Sequence, residues 1–464
     1  MITSAAARAP RIYAPEWTRG EVGDFEAQEA NSSDSVQLTR VPRKAKPNTL
    51  DNPQVGEAAG APELSAGALQ SPVFLGSEKE YFAEARRVIE QAKAGDTLAV
   101  QMYEFENVET NGDKDAAKKA PGFADQQALL PGLAAAAARG VHVEVVLDAS
   151  KNPKSGELMN QPVADYLIAA GKKSGNLTLD FYPPNSVNID HAKELIHMTP
   201  DGHGLAVQEA LVGGSNWGNH TPANDDGGGA FYGRDALGAA QIFFRDQAFA
   251  RGDATSPATL TQDPNSPVSW AVTSPTMCAG GSTGIKEAKL DLMKQADEIY
   301  LNQFCLNNPD LVAAAVAKGP ALHARLDPNE LHVNRDALDQ IRQAGGQALW
   351  ANTTLDANMP GQKNHEKLDV YVQNGTAFAA TLGSANDTGN GLETTHYSPS
   401  STTGKNTQRK TNHEIDAIVR RVTTGNYSTA PFLDAALAKT RNDLEQRSLE
   451  KPPSNPSGTA PGQF

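Results

Sequence analysis

Cysteine is nearly missing from this chain, since Cys278 and Cys305 are its only two in 464 residues. Two thiols are too few for a disulfide framework or a thiolate metal site and allow at most one bridge, so a reducing compartment fits best. Long apolar runs are missing as well: none approaches the roughly 18 to 20 residues of a membrane-spanning helix. Residues 1–8 also lack the apolar stretch of a secretory signal. The sequence therefore predicts a soluble protein, either cytoplasmic or exported by a non-classical route.

Positive charge is in short supply, with 41 Lys and Arg against 55 Asp and Glu and a net charge of -14. This balance opposes a broad nucleic-acid footprint, which needs many cations along a phosphate backbone. Any phosphate bound here is therefore expected to meet a few converging groups. The apolar share of 39% and the charged share of 21% are those of a globular protein.

An internal duplication organises the chain. Residues 71–252 and 277–447 carry the same order of features and are predicted to form two domains. Residues 253–276, rich in Pro, Ser and Thr, are predicted to connect them. Residues 1–70 and 448–464 have no sustained periodicity and are predicted to be an irregular extension and a flexible tail.

Helix-like and strand-like segments alternate in both domains. The matching pairs of segments, first domain before second, are 78–94 with 285–296, 96–105 with 297–304, 127–139 with 310–318, and 141–148 with 321–326. Gly140 and Gly319 stand where the second helix of each set would end. This alternation predicts two α/β units, each with a mainly parallel mixed sheet.

Each domain ends in a predicted hairpin whose turn is Asp201-Gly202 or Asn374-Gly375. The hairpins open on a His-x-Lys pair and close on a glycine-containing corner that ends in Asn. These residues are His191, Lys193, Gly213, Gly214, Ser215 and Asn216 in the first domain, and His365, Lys367, Gly383, Ser384, Ala385 and Asn386 in the second. Residues two apart in a strand share a face, so each His and its Lys can address one ligand.

Two such sets facing each other would surround a tetrahedral anion with two imidazoles, two ammonium groups and two carboxamides. One neutral His can attack phosphorus while the other gives its proton to the leaving oxygen, through a phosphohistidine. The Lys and Asn donors would stabilise the developing charge. This chemistry requires neither a metal nor a cofactor. His197, His203 and His220 lie near the first motif, but no carboxylate spacing in the sequence completes a metal-ligand set with them.

Asp226 and Glu414 are the candidate carboxylates that orient the two imidazoles. Gly214, Ser215, Ser384 and His220 are the candidate substrate contacts. The two serines could donate either to the phosphate or only to the local backbone. The glycines could be ordinary turn residues.

These residues resemble the duplicated His-x-Lys-x4-Asp motif and Gly-containing Asn corner of the phospholipase D superfamily, over most of residues 75–445. The resemblance implies two α/β/α halves packed about a pseudo-two-fold, with the site at their interface. It favours His191 as the nucleophile, which the sequence alone leaves open. The motif Asp is missing, because Met198 and Val372 stand in its place.

The resemblance implies a metal-independent phosphodiesterase that hydrolyses or transphosphatidylates phospholipids, with a phospholipid or a peripheral membrane surface as its partner. Two motifs in one chain make a monomer sufficient. A nuclease of the same family remains an alternative, with nucleic acid the less favoured partner. A catalytically silent phosphate-binding scaffold or effector is the third interpretation.

Overall fold

A computed structural model describes residues 62–112, 117–152, 156–182, 189–251, 263, 265–273, 284–353, 362–392, 396–399, 406–409 and 412–452. Its helices are α1 Glu78–Gln91, α2 Val108–Asn111, α3 Phe123–Ala138, α4 Gln161–Ser174, α5 Leu237–Arg251, α6 Ile285–Gln295, α7 Pro309–Lys318, α8 Leu331–Gln343, α9 Gly389–Leu392 and α10 Ala430–Gln446. Its strands are β1 Leu64–Ala66, β2 Val73–Leu75, β3 Thr97–Met102, β4 His142–Asp148, β5 Leu177–Tyr182, β6 Lys193–Pro200, β7 Leu205–Gly213, β8 Gly228–Tyr232, β9 Val268–Thr273, β10 Glu298–Gln303, β11 Leu322–Leu326, β12 Gln347–Ala351, β13 Lys367–Gln373, β14 Thr376–Gly383, β15 His396–Pro399, β16 Asn406–Arg409, β17 Glu414–Arg420, β18 Thr423–Thr424, β19 Tyr427–Ser428 and β20 Ser448–Leu449.

Two eight-stranded mixed sheets form the two halves, so the predicted α/β class and duplication are confirmed. The first sheet has the order β2-β8-β7-β6-β3-β4-β5, with β1 beside β7, and the second has the order β20-β12-β11-β10-β13-β14-β17-β9. The sheets are less parallel than predicted. Parallel pairing joins β3-β4-β5, β10-β11-β12 and β1-β7, whereas the remaining pairs of both sheets are antiparallel. Helices connect strands that run parallel to each other. The segments that carry the His-x-Lys pairs and the Asn corners, β6-β7 and β13-β14, are hairpins instead.

Local sequence explains the elements that carry the site. In α1, the Ser77 side chain accepts from the Glu80 backbone N–H at 3.3 Å and caps the helix. In the hairpin of β13 and β14, Asn374 and Gly375 have φ values of 51° and 74°. Both residues thus adopt the left-handed conformation that a type I′ turn needs. These turns return the Asn corners to the end of the sheet where the His residues lie.

Three predicted irregular ranges contain strands in the structure. β1 lies within 1–70 and pairs with β7, β9 lies within 253–276 and pairs with β17, and β20 lies within 448–464 and pairs with β12. β1 and β20, of three and two residues, are too short to show a period, and the six residues of β9 follow a segment rich in Pro, Ser and Thr that indicated a linker. Residues 1–61, 252–262, 274–283 and 453–464 lie outside the described residues. The exact domain boundaries stay predictions.

One hydrophobic core joins the two halves, because Met198, Phe231 and Ala210 of the first half cluster with Val372 and Ile415 of the second. Met198 and Val372 are buried there, and each lies at a β-bulge where the hairpin register shifts. The motif Asp is thus replaced at both places by an apolar side chain that packs into this core. Among the described residues, no helix has the length and apolar character needed to cross a bilayer.

Candidate active site

Short parallel bridges between the halves set the position of both His residues. The backbone N–H of His191 donates to the carbonyl of His413 at 2.9 Å, and that of His365 donates to the carbonyl of Asp225 at 2.9 Å. The N–H of Asp225 in turn donates to the carbonyl of Lys363 at 2.7 Å. Each His segment therefore pairs with the segment that carries the other half's carboxylate.

The carboxylates are crossed between the halves. Nδ1 of His191 lies 2.9 Å from Oε2 of Glu414, and Nδ1 of His365 lies 2.7 Å from Oδ2 of Asp226. With Nδ1–H donating to a carboxylate, Nε2 of each ring is the nitrogen left for chemistry. The sequence identified both carboxylates but not which His each one orients. Neither half holds a complete set.

The two lysines have matching places. Nζ of Lys193 donates to the His191 carbonyl at 2.6 Å, and Nζ of Lys367 donates to the His365 carbonyl at 2.6 Å. Nζ of Lys367 also lies 3.1 Å from Nδ1 of His365. Burial lowers the pKa of Lys193 to about 7 and lowers that of Lys367 too. Both amino groups are thus buried beside the imidazoles, where a bound anion would favour their charged form.

The two His–carboxylate pairs differ electrostatically. Burial lowers the pKa of His191 to about 4 and that of His365 well below its usual range. Burial raises the pKa of Asp226 to about 8. Burial acts to raise the pKa of Glu414 as well, but attraction to His191 and Lys193 outweighs it and the pKa is lowered. The shifts of the two carboxylates therefore run in opposite directions, and they favour a proton on the His365–Asp226 pair over one on the His191–Glu414 pair.

Each Asn corner presents a carboxamide whose Oδ1 atom is buried, on the buried Asn216 and on the half-buried Asn386. Nδ2 of Asn216 donates to Oε2 of Glu104 at 3.3 Å. Within the described part of the chain, Oδ1 of Asn216 and Oδ1 of Asn386 have no hydrogen-bond partner. Buried amide oxygens are normally hydrogen-bonded, so each corner has an acceptor oxygen that is not satisfied by the described protein groups.

The candidate substrate contacts have other partners in this structure. A Cβ on Gly214 would overlap the Asp226 carboxylate, so this glycine makes room for that side chain. Oγ of Ser384 donates to Oε2 of Glu414 at 2.7 Å, and Oγ of Ser215 lies 3.5 Å from the Gly227 carbonyl. These serine contacts fit the local alternative. His220 is partly exposed, with Nδ1 4.0 Å from Oε1 of Glu104.

Two aromatic residues at the site were missed. The ring of Tyr103 packs edge-on against His191 with centroids 5.1 Å apart, and that of Phe304 packs against His365 at 4.9 Å. Both rings also lie near the adjacent lysine, at 5.4 Å for Lys193 and 5.5 Å for Lys367. Each follows the central strand of its half by one residue. Aligning the duplicated strands position by position would have identified this matched pair.

A buried lysine ties together the second half of the site. Nζ of Lys289 lies 2.7 Å from Oδ1 of Asp387, 2.9 Å from Oδ2 of Asp369 and 3.9 Å from Oδ2 of Asp416. All these side chains are fully buried. The three Asp residues lie one or two positions after Asn386, Lys367 and Glu414. Lys289 is therefore placed to fix three site segments at once.

The residues before the two carboxylates carry opposite charge. His413 lies 2.7 Å from Asp246, and although burial opposes protonation, the neighbouring carboxylates raise its pKa to about 9. At the matching position, Asp225 lies 2.8 Å from Arg325 and 2.8 Å from Arg447. A cation therefore precedes Glu414, and an anion precedes Asp226.

Comparisons with known proteins bear on the fold. No protein-family model and no curated protein matches the chain. Among solved structures, phosphatidylserine synthase from Haemophilus influenzae Rd KW20 is similar, with a TM-score of 0.51 and 13% identity over 84% of this chain and 89% of that one. Polyphosphate kinase from Porphyromonas gingivalis gives a TM-score of 0.43 and 14% identity over 73% of this chain. The match spans 45% of the kinase chain, less than half its length.

The similarity to phosphatidylserine synthase agrees with the fold of two α/β halves that the sequence predicts. At these identities the likeness is one of fold. The activity has to be argued from the site itself.

Proposed function

We propose that this protein is a phosphodiesterase or phosphatidyltransferase that acts on phospholipid head groups through a phosphohistidine. The observation that carries the proposal is the crossed pair of buried His–carboxylate units, at 2.9 Å and 2.7 Å, each with a lysine two residues along its strand. This arrangement supplies a nucleophile, an acid and anion-binding groups where the two halves meet.

In the first step, Nε2 of His191 attacks phosphorus and forms a P–N bond while the P–O bond to the head group breaks. The leaving oxygen takes a proton from Nε2 of His365. In the second step, water or an alcohol gives its proton to His365 as its oxygen attacks phosphorus, and the P–N bond breaks. His191 is assigned as the nucleophile because Glu414 favours its ionised form and accepts from Nδ1–H, which leaves the Nε2 lone pair for attack, whereas the His365–Asp226 pair favours holding the proton that the leaving oxygen takes.

Two observations support a lipid substrate over nucleic acid. The net charge of -14 opposes the many phosphate contacts that nucleic-acid binding needs. A protein named phosphatidylserine synthase shares the fold over 84% of this chain, which fits phosphatidyl transfer. Both motifs also lie in one chain, so the complete site needs no second copy.

The test is head-group release and exchange on vesicles of phosphatidylcholine, phosphatidylethanolamine and phosphatidylglycerol, with and without ethanol or serine as acceptor. His191→Ala and His365→Ala should each lower turnover by at least about 10³-fold, since each removes a reacting group. His197→Ala is the matched control, because His197 lies on β6 and its Nε2 contacts Asp96 at 2.9 Å. It should retain activity.

The same panel includes single- and double-stranded DNA and RNA. Cleavage of nucleic acid alone would overturn the lipid assignment while leaving the two-His chemistry in place. Inactivity on every substrate would favour a phosphate-binding scaffold.

A further inference from the structure

A segment just beyond the Asn216 corner folds against the strand extension after β3. The backbone N–H of Trp217 donates to the Glu104 carbonyl at 2.9 Å, and the N–H of Glu106 donates to the Trp217 carbonyl at 3.0 Å. Glu104 and Glu106 are two residues apart in an extended segment, so their side chains leave the same face. Two carboxylates from distant sequence are thereby brought beside His220.

These three side chains form a compact donor set. Glu104, Glu106 and His220 each offer a ligand atom, and all three atoms lie within 4.8 Å of one another. Nδ1 of His220 lies 4.0 Å from Oε1 of Glu104, and all three residues are partly exposed. One imidazole and two carboxylates with room for further ligands suit a first-row divalent ion.

A buried hydroxyl without a partner faces the same space. Thr221 is 1% exposed, and its Oγ1 has no hydrogen-bond partner among the described residues. A Cβ placed on Gly218 would lie 3.1 Å from Oγ1 of Thr221 and 3.3 Å from Oε1 of Glu104. Both oxygens therefore border one small volume, which is open only because residue 218 is a glycine. An unsatisfied buried hydroxyl is destabilising, and a bound ion would offset that destabilisation.

We propose that Glu104, Glu106 and His220 bind a first-row divalent cation such as Mn²⁺, with the Thr221 hydroxyl facing it beside Gly218. An ion there neutralises the carboxylate that accepts from Asn216, so it borders the phosphate site without entering the two-His chemistry. The proposal concerns binding and does not depend on which phosphodiester the protein cleaves.

A second acidic group among the described residues is not proposed as a cation site, because the chain supplies its cation. Asp225, Glu366 and Asp443 also converge, but Nζ of Lys439 lies 3.3, 2.8 and 2.6 Å from their oxygens. That group is neutralised by an ammonium of the chain.

The test is calorimetric titration of the full-length protein with Mn²⁺ alone. Wild type should bind one ion, and Glu104→Gln and His220→Asn should each weaken binding by at least about 10-fold. Gly218→Ala keeps every ligand but fills the shared space with a methyl group, and it should weaken binding similarly. Far-UV circular dichroism and the unfolding temperature check that each variant is folded.

His332→Asn is the matched control, because His332 also lies 3.9 Å from a glutamate, Glu330, but belongs to no group of three metal-ligand side chains among the described residues, and it should not affect binding. Absence of Mn²⁺ binding in folded wild type would overturn the proposal. Binding that Glu104→Gln, His220→Asn and Gly218→Ala all leave unchanged would also overturn it, since the ion would then lie elsewhere.

Discussion

Replacing Glu414 with Gln tests the crossed pairing of the two halves. Glu414 is fully buried and accepts from Nδ1 of His191 at 2.9 Å, Oγ of Ser384 at 2.7 Å and Nδ2 of Asn412 at 3.0 Å. Gln has the same shape, but its NH₂ end cannot accept. Both Glu414 oxygens lie within 3.1 Å of Nδ1 of His191, so the NH₂ end of Gln lies beside the ring in either orientation and favours the tautomer with the proton on Nε2, which removes the lone pair needed for attack.

The structure sets the expected size of the effect. Losing a charge-assisted hydrogen bond costs about 1.5–3 kcal/mol, or roughly 10- to 150-fold in rate. Holding the wrong tautomer increases the loss, and an amide in the equivalent place of a catalytic triad lowers kcat by about 10⁴-fold. We therefore expect kcat for phosphodiester turnover to fall by about 10²- to 10⁴-fold, with KM little changed.

Tautomer assignment by ¹⁵N NMR of histidine-labelled protein makes the test specific. Glu414→Gln should alter the ring-nitrogen shifts of His191 and leave those of His365 nearly unchanged, and Asp226→Asn should do the reverse. If Glu414→Gln altered the His365 ring and left His191 unchanged, the crossed arrangement would be wrong.

Three further predictions concern the groups around the site. Lys289→Met leaves three buried Asp residues without their cation and should lower the free energy of unfolding in urea by about 3–5 kcal/mol. Adding Asp387→Asn should restore part of this free energy. An unchanged urea midpoint in Lys289→Met would refute the stabilising role of Lys289. His413 has its pKa raised from 6.5 to about 9 in the folded state, so its charge stabilises the fold below about pH 6.5 and this contribution is lost as pH rises through 9. Urea midpoints measured from pH 6 to 10 should therefore fall less steeply in His413→Gln than in wild type, and parallel curves would contradict this. Gly214→Ala should displace the Asp226 carboxylate and lower kcat by about 10-fold or more without preventing folding. A variant with full activity and with the Asp226 carboxylate in its original place in a crystal structure would contradict the close contact.

Local signals made much of the site predictable. The His-x-Lys pairs, the Asn corners and the turn at Asn374 are each encoded within a few residues, so strand period and turn chemistry locate them. The pairing of Glu414 with His191 joins residues 223 positions apart, and no local pattern specifies it. The same holds for the contact between Lys289 and Asp387, 98 positions apart.

The replaced motif Asp shows how packing overrides a family pattern. The sequence identified Met198 and Val372 as departures, and the structure places both in the core shared by the halves. Their β-bulges, at the same position in each hairpin, arise from tertiary pairing. Composition could predict neither the bulge nor the apolar contact across the interface.

The most direct test of the two-His chemistry is alkaline-quenched mass spectrometry after mixing the protein with a p-nitrophenyl phosphodiester in EDTA, because phosphohistidine survives in base. We predict a covalent adduct on His191 that also forms in His365→Ala, since p-nitrophenolate leaves without an acid, and no adduct in His191→Ala. Turnover by His191→Ala, or turnover by wild type with no adduct on either histidine, would contradict the account.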